Sequence, residues 1–129
     1  GAMPPGPEVR VLLVDHDDRL RQSLTQALTE YGCQVLAAEN GEYALRVIDR
    51  EPVDIVFTDI LMPKMDGLEM IRHLAKVRPA LPVIAMSDHV GSSVNYLRFA
   101  LSFGAIEALP KPFEIDAALE IVRRHTAPA

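Results

Sequence analysis

Five short apolar runs rich in branched residues alternate along this chain with segments of helical period, and no feature of the sequence restricts the fold more. The runs are Val9 to Val14, Gln34 to Ala38, Asp54 to Thr58, Pro82 to Met86 and Ile106 to Leu109. Val11-Leu12-Leu13-Val14 and Ile55-Val56-Phe57 lack polar alternation, which predicts strands covered on both faces. Between the runs, Leu20, Leu24, Ala27, Leu28 and Tyr31 share one helical face, as do Ala44, Leu45 and Ile48, then Leu68, Ile71, Leu74 and Ala75. Ile115, Ala118, Leu119 and Val122 repeat the pattern in the last helix. The fourth helical segment carries two stripes, Val94, Leu97 and Leu101 beside Tyr96, Phe99 and Phe103, one of which is left for an exposed face. Gly32, Pro52, Pro79 and Gly104 stand where helices should stop. The pattern predicts an α/β chain, a (βα)5 doubly wound five-stranded parallel sheet. Right-handed crossovers then put helices on both faces and all strand carboxyl ends on one edge, where such sheets bind ligands.

The 129 residues suit one domain, and 49% hydrophobic residues with a mean hydropathy of +0.11 supply its core without disulfides. The single cysteine, Cys33, is expected as a small buried thiol. No run of about 18 apolar residues exists, and no basic region precedes a hydrophobic one, so neither a membrane span nor a signal peptide is expected. A cytoplasmic location follows by default. A net charge of −5 disfavours direct contact with nucleic acid or an anionic membrane. Gly1-Ala2-Met3 reads as a protease-cleavage scar, so residues 1–7 are expected to be scar and flexible N-terminus, 8–126 the domain, and 127–129 a flexible C-terminus.

Polar residues follow the apolar runs directly: Asp15-His16-Asp17-Asp18 after the first, Thr58-Asp59 after the third, Ser87-Asp88 after the fourth, and Lys111-Pro112 beyond the fifth. Singly, each has a plain explanation, since Asp17 or Asp18 can cap a helix and Asp59 or Ser87 can begin a turn. Together, at one sheet edge, they assemble carboxylates, a hydroxyl and an ammonium. That set suits Mg2+, or Mn2+, held by Asp15 and Asp59 with positions left for phosphate oxygens. A carboxylate so placed can attack phosphorus to give an aspartyl phosphate, which needs positioning and charge neutralisation more than proton transfer. Asp59 is then nucleophile as well as ligand, Lys111 neutralises phosphoryl oxygens, and Ser87 donates a hydrogen bond to them.

Val11-Leu12-Leu13-Val14-Asp15, Thr58-Asp59-Ile60-Leu61-Met62-Pro63-Lys64-Met65-Asp66-Gly67, Pro82 to Ser87, Gly104-Ala105 and Lys111-Pro112-Phe113 resemble the receiver domains of bacterial two-component response regulators, of the chemotaxis-regulator type. The resemblance runs from about Val9 to Val122. It implies strand order 2-1-3-4-5 and a flavodoxin-like fold. It also implies Asp59 as phosphoacceptor, Asp15 in the acidic pocket, the Leu61 carbonyl as a metal ligand, Ser87 as the switch hydroxyl and Lys111 as the phosphate-pairing cation. A cis bond before Pro112 is implied too, with Gly67 giving a permissive backbone after the loop and Asp66 capping the third helix. The partner so implied is a sensor histidine kinase or phosphotransfer protein, and the only catalysis is of the domain's own phosphorylation and dephosphorylation.

Three positions depart from the family pattern. His16 stands where a second acid usually binds Mg2+, so Mg2+ binding is expected to weaken unless Asp17 turns in. Ala108 stands where an aromatic usually couples to the switch hydroxyl. The segment Asp88-His89-Val90-Gly91-Ser92-Ser93 reads as a loop about two residues longer than usual, with Asp88 adding charge near the site. A homodimer or effector surface is expected on helix four, strand five and helix five, and His73, His89 and His125 are expected to be exposed. A pseudo-receiver, a protein-binding module independent of phosphorylation, is the alternative. A flavodoxin-like cofactor binder would want a glycine-rich loop after strand one, and a haloacid-dehalogenase-type phosphatase would want Asp where Leu61 stands.

Overall fold

The computed structural model describes residues 9–62, 64–88 and 93–126, with backbone alone for 93–95. The expected scar and flexible ends at 1–7 and 127–129, Pro63, the extended loop with His89, and the Val94 side chain lie outside the described residues. The chain alternates β1 (Arg10–Val14), α1 (Asp18–Glu30), β2 (Gln34–Ala38), α2 (Gly41–Arg50), β3 (Ile55–Asp59), α3 (Gly67–Val77), β4 (Val83–Asp88), α4 (Ser93–Phe103), β5 (Glu107–Lys111) and α5 (Ile115–His125). All strand pairs are parallel and the order is β2-β1-β3-β4-β5, as the resemblance implied.

The two strands without polar alternation are the central ones, and their side chains leave the sheet alternately on opposite faces. Leu12, Val14 and Val56 enter one core with Met70, Ile71 and Leu74 of α3 and Leu97 and Ala100 of α4. Val11, Leu13, Ile55 and Phe57 enter the other, with Leu24 and Leu28 of α1 and Ala118, Ile121 and Val122 of α5. Cys33 is buried in this second core, and burial pushes its thiol up to about 11, which keeps it in the unreactive protonated form.

Asp17 caps α1 through the amides of Arg19 and Leu20 (3.0 and 3.3 Å), Asn40 caps α2 through Tyr43 (2.9 Å), and Asp66 caps α3 through Leu68 (2.8 Å). Gly32 and Gly104 follow α1 and α4 at φ 104° and 131°, where a side chain would be strained.

Strands β4 and β5 run past Met86 and Leu109, because the ladder continues through Ser87↔Pro110 and Asp88↔Lys111; Ser87, Asp88 and Lys111 therefore lie on strands. In α3, Ala75 is exposed, and Met70 completes the buried face. Neither expected stripe of α4 is the inward one. Leu97 of one stripe, Tyr96 and Phe103 of the other, and Ala100 of neither face the core, while Phe99 (52% exposed) and Leu101 (46%) face outward. The small side chain of Ala100 lies in the middle of that inward arc, which permits close approach to the sheet. His125 is half-buried against Glu107, which also accepts from Arg124 at 2.8 Å. His73 is exposed as expected. Among the described residues no helix is long and apolar enough to cross a membrane.

Candidate functional site

The parallel register brings the ends of β1, β3, β4 and β5 to one edge. Asp15 follows β1 directly, its amide donating to the Ala38 carbonyl at 3.1 Å, and Asp59 ends β3, with the Ile60 amide donating to Met86 at 3.1 Å. Both carboxylates are buried, at 1% and 5% exposure. Two buried carboxylates side by side are costly unless compensated. Lys111, from the end of β5, provides the counter-charge: its Nζ lies 2.7 Å from Asp15 Oδ2 and 3.6 Å from Asp59 Oδ2.

The remaining Asp15 oxygen, Oδ1, accepts from the Asp17 amide at 2.9 Å, and the Arg21 guanidinium donates to the Asp15 carbonyl at 2.5 Å while pairing with Asp18. Burial raises the Asp59 carboxyl above the ordinary range, and the Asp15 charge adds to the rise; Lys111, His16 and the Ile60 amide pull the other way without cancelling it. For Lys111, burial alone would favour the neutral amine. The hydrogen bond and charge of Asp15, with Asp59 and Asp88 behind them, outweigh it and leave the ammonium more firmly protonated than a free lysine.

His16 turns its ring toward the carboxylates, with Nδ1 at 3.3 Å from Asp59 Oδ2 and 3.9 Å from Asp15 Oδ1, although 55% of the side chain remains exposed. One donor atom each from Asp15, His16 and Asp59 lies within 4.8 Å of the others, a cluster able to hold a metal ion. Asp17, expected as a substitute ligand, has its carboxylate at the α1 N-terminus. Ser87 is buried at the same edge, one residue past Met86, the register partner of Asp59, and stands outside the ion-pair network. Leu61 lies on the loop after Asp59 with its side chain exposed. Ala108 is half-buried opposite Ala85 and packs on the core side that holds α4. The Lys111-Pro112 bond is cis, and Asp88 faces Lys111 across the β4–β5 ladder.

Two features were missed. Arg21 was legible only as an i,i+3 partner of Asp18, and nothing in the sequence signalled its bond to Asp15. Gly67, expected for its backbone freedom, is outside the positive-φ glycines and is required for closeness instead: a Cβ there would lie 2.2 Å from the Asp59 carbonyl oxygen. Its amide donates to the Ile60 carbonyl at 2.9 Å, folding the loop back onto the residue that follows Asp59.

Residues 11–123 match the family described as response regulator receiver domain. The DNA-binding transcriptional regulator NtrC of Proteus hauseri is 37% identical over 116 residues, which cover 88% of this chain and 24% of that protein. The transcriptional regulatory protein GlrR of Escherichia coli K12 is 38% identical over 122 residues, 92% of this chain and 27% of that one. This chain thus spans about a quarter of the length of these curated relatives. A solved response regulator receiver domain protein from Clostridium thermocellum superposes with a TM-score of 0.84 at 26% identity, covering 92% of this chain and 94% of the other.

Proposed function

The chain belongs to the response regulator receiver domain family, and from that premise we propose that Asp59 accepts a phosphoryl group from a phosphohistidine of a sensor histidine kinase or phosphotransfer protein in the cytoplasm. The observation that carries the reading is a buried carboxylate at the end of β3 with an ammonium 3.6 Å away. An Asp59 carboxylate oxygen attacks phosphorus, the bond from phosphorus to the histidine nitrogen breaks, and the imidazole leaves with the bonding electrons. Lys111 neutralises charge on the transferred oxygens, and the Ser87 hydroxyl donates to one of them. Asp15 holds Lys111 at 2.7 Å, so the ammonium is in place before the donor arrives.

Two buried carboxylates and an adjacent imbalance of negative charge fit a divalent cation, with Asp15, Asp59 and the Leu61 carbonyl as its holders in the Mg2+ or Mn2+ form. When bound, the cation supplies further neutralisation of the phosphoryl oxygens. The added charge of an aspartyl phosphate, about −1.5 to −2 for a phosphoryl group, must be read out by a moving surface. We assign that surface to α4, β5 and α5, where Phe99, Leu101 and Ile106 are about half exposed and available to a second copy or an effector.

A second reading, a pseudo-receiver that binds partners without phosphorylation, is favoured by His16 in the position of an acid and by Ala108, whose methyl cannot swing as an aromatic does. Incubation with acetyl phosphate and a divalent cation, followed by intact mass, separates the two. A phosphoryl adduct lost in Asp59→Asn supports phosphoacceptance; no adduct with small-molecule or phosphohistidine donors supports the pseudo-receiver.

A further inference from the structure

We infer that the edge formed by Asp15, His16 and Asp59 selects borderline transition-metal ions such as Co2+ and Zn2+ over Mg2+, with His16 Nδ1 as the discriminating ligand. The inference rests on the reading of this edge as a cation-assisted site and names the class of cation. Adjacent ligands on a metal with bonds near 2.1 Å lie about 3.0 Å apart in octahedral and about 3.4 Å apart in tetrahedral geometry. His16 Nδ1 is 3.3 Å from Asp59 Oδ2 and 3.9 Å from Asp15 Oδ1, and one donor atom from each residue lies within 4.8 Å of the others, so about 2 Å of closure at most brings all three donors onto one ion. Without an ion the ring pairs with Asp59, and that pairing places a nitrogen donor beside the two buried carboxylates, where an ion would sit.

The chemistry of the donors decides which ion gains. Mg2+ demands hard oxygen ligands, whereas imidazole suits Zn2+ and later first-row metals. No neighbouring acid supplies the missing oxygen: the Asp17 carboxylate accepts from two α1 amides, Asp18 pairs with Arg21, and Asp88 sits at the exposed end of β4 across from Lys111. The charge count points the same way. Asp15 and Asp59 against Lys111 leave one net negative charge, where an acid at position 16 would leave two. That weakens electrostatic attraction for every divalent ion and adds a nitrogen bond that only some of them use well.

Calorimetric titration of the metal-free wild-type chain with MgCl2, CoCl2 and ZnCl2 at pH 7.5, alongside Asp59→Asn, His16→Asn and His16→Asp, tests this. Wild type is expected to bind Co2+ and Zn2+ more tightly than Mg2+, with binding lost in Asp59→Asn. His16→Asp should lower the Mg2+ to Co2+ ratio of dissociation constants at least about tenfold. His16→Asn should weaken Co2+ at least about tenfold and change Mg2+ by no more than about threefold. The visible ligand-field bands of bound Co2+ should shift between wild type and His16→Asp. A ratio unchanged within twofold, or identical Co2+ spectra, overturns the inference while leaving the phosphoacceptor reading to its own mass measurement. No binding of any ion by wild type overturns it together with the cation assistance it rests on.

Discussion

Replacing Gly67 by alanine sets helix propensity against packing. Gly67 opens α3 outside the positive-φ region, so on propensity alone alanine should stabilise the helix by about 1 kcal/mol. The added Cβ, however, would lie 2.2 Å from the Asp59 carbonyl oxygen, 2.7 Å from Ile60 Cα and 2.8 Å from the Ile60 carbonyl oxygen. All three are backbone atoms and cannot rotate away. Restoring ordinary contact requires α3 and the end of β3 to separate by about 1 Å, which breaks the 2.9 Å bond from the Gly67 amide to Ile60. Overpacking costs about 1–3 kcal/mol and the hydrogen bond about 1 kcal/mol. Net of propensity, the loss is about 1–3 kcal/mol, or a fall of about 4–12 °C in Tm for a domain of this size. Because the strained segment carries Asp59, the proposed phosphoacceptor, its labelling by acetyl phosphate should also slow, by up to about 100-fold. Gly41→Ala is the control: its Cβ would meet Met65 at 3.1 to 3.2 Å, a contact relieved by a shift of a few tenths of an ångström, and its Tm should change by less than about 4 °C. A Gly67→Ala protein that melts at or above the wild-type temperature refutes the steric reasoning.

The raised Asp59 carboxyl means that the folded chain binds its proton at higher pH than the unfolded chain does, so ionisation there opposes folding. Stability should fall as pH rises from the ordinary carboxylate range through the raised value. Asp59→Asn should therefore melt higher than wild type at pH 7 without metal, with the difference vanishing near pH 3; equal melting temperatures at pH 7 would remove the claim. On α4, Tyr96→Ser should cost about 1–2 kcal/mol in urea unfolding because its side chain packs on the core, whereas Phe99→Ser should cost about 0.5 kcal/mol or less. If the outward face serves association, Phe99→Ser should also weaken dimerisation in sedimentation runs of the phosphorylated chain, and the reverse ranking of stabilities would contradict the inward arc.

The legible parts of this fold are those that local pattern controls. Uninterrupted apolar runs marked β1 and β3 as doubly covered, the caps and stops marked most helix limits, and each polar cluster lies at the carboxyl end of its strand. What pairing in space controls was not legible. Ser87 and Lys111 read as loop residues because only the β4–β5 ladder extends the strands to include them. The inward face of α4 depends on where the helix sits over the sheet, so two stripes of similar hydrophobicity could not be ranked. The Gly67 contact and the His125 pair with Glu107 join distant segments and leave no periodic trace.

The site shows the same division in its charges. Sequence reasoning collected Asp15, Asp59 and Lys111 at one edge but could not say how the single ammonium is shared. It sits 2.7 Å from Asp15 and 3.6 Å from Asp59, so Asp15 takes the hydrogen-bonded partnership and Asp59 the longer contact. The consequence follows from electrostatics. A carboxylate fully paired with lysine would have to break that pair to attack phosphorus, whereas Asp59 is near enough for the ammonium to offset part of its burial and too far from it for a hydrogen-bonded pair. In the proposed phosphoacceptor reaction, Asp15 is the anchor that keeps Lys111 from closing on Asp59. That role needs its position as much as its charge, since a carboxylate elsewhere on this edge would draw the lysine away from the oxygens it must neutralise.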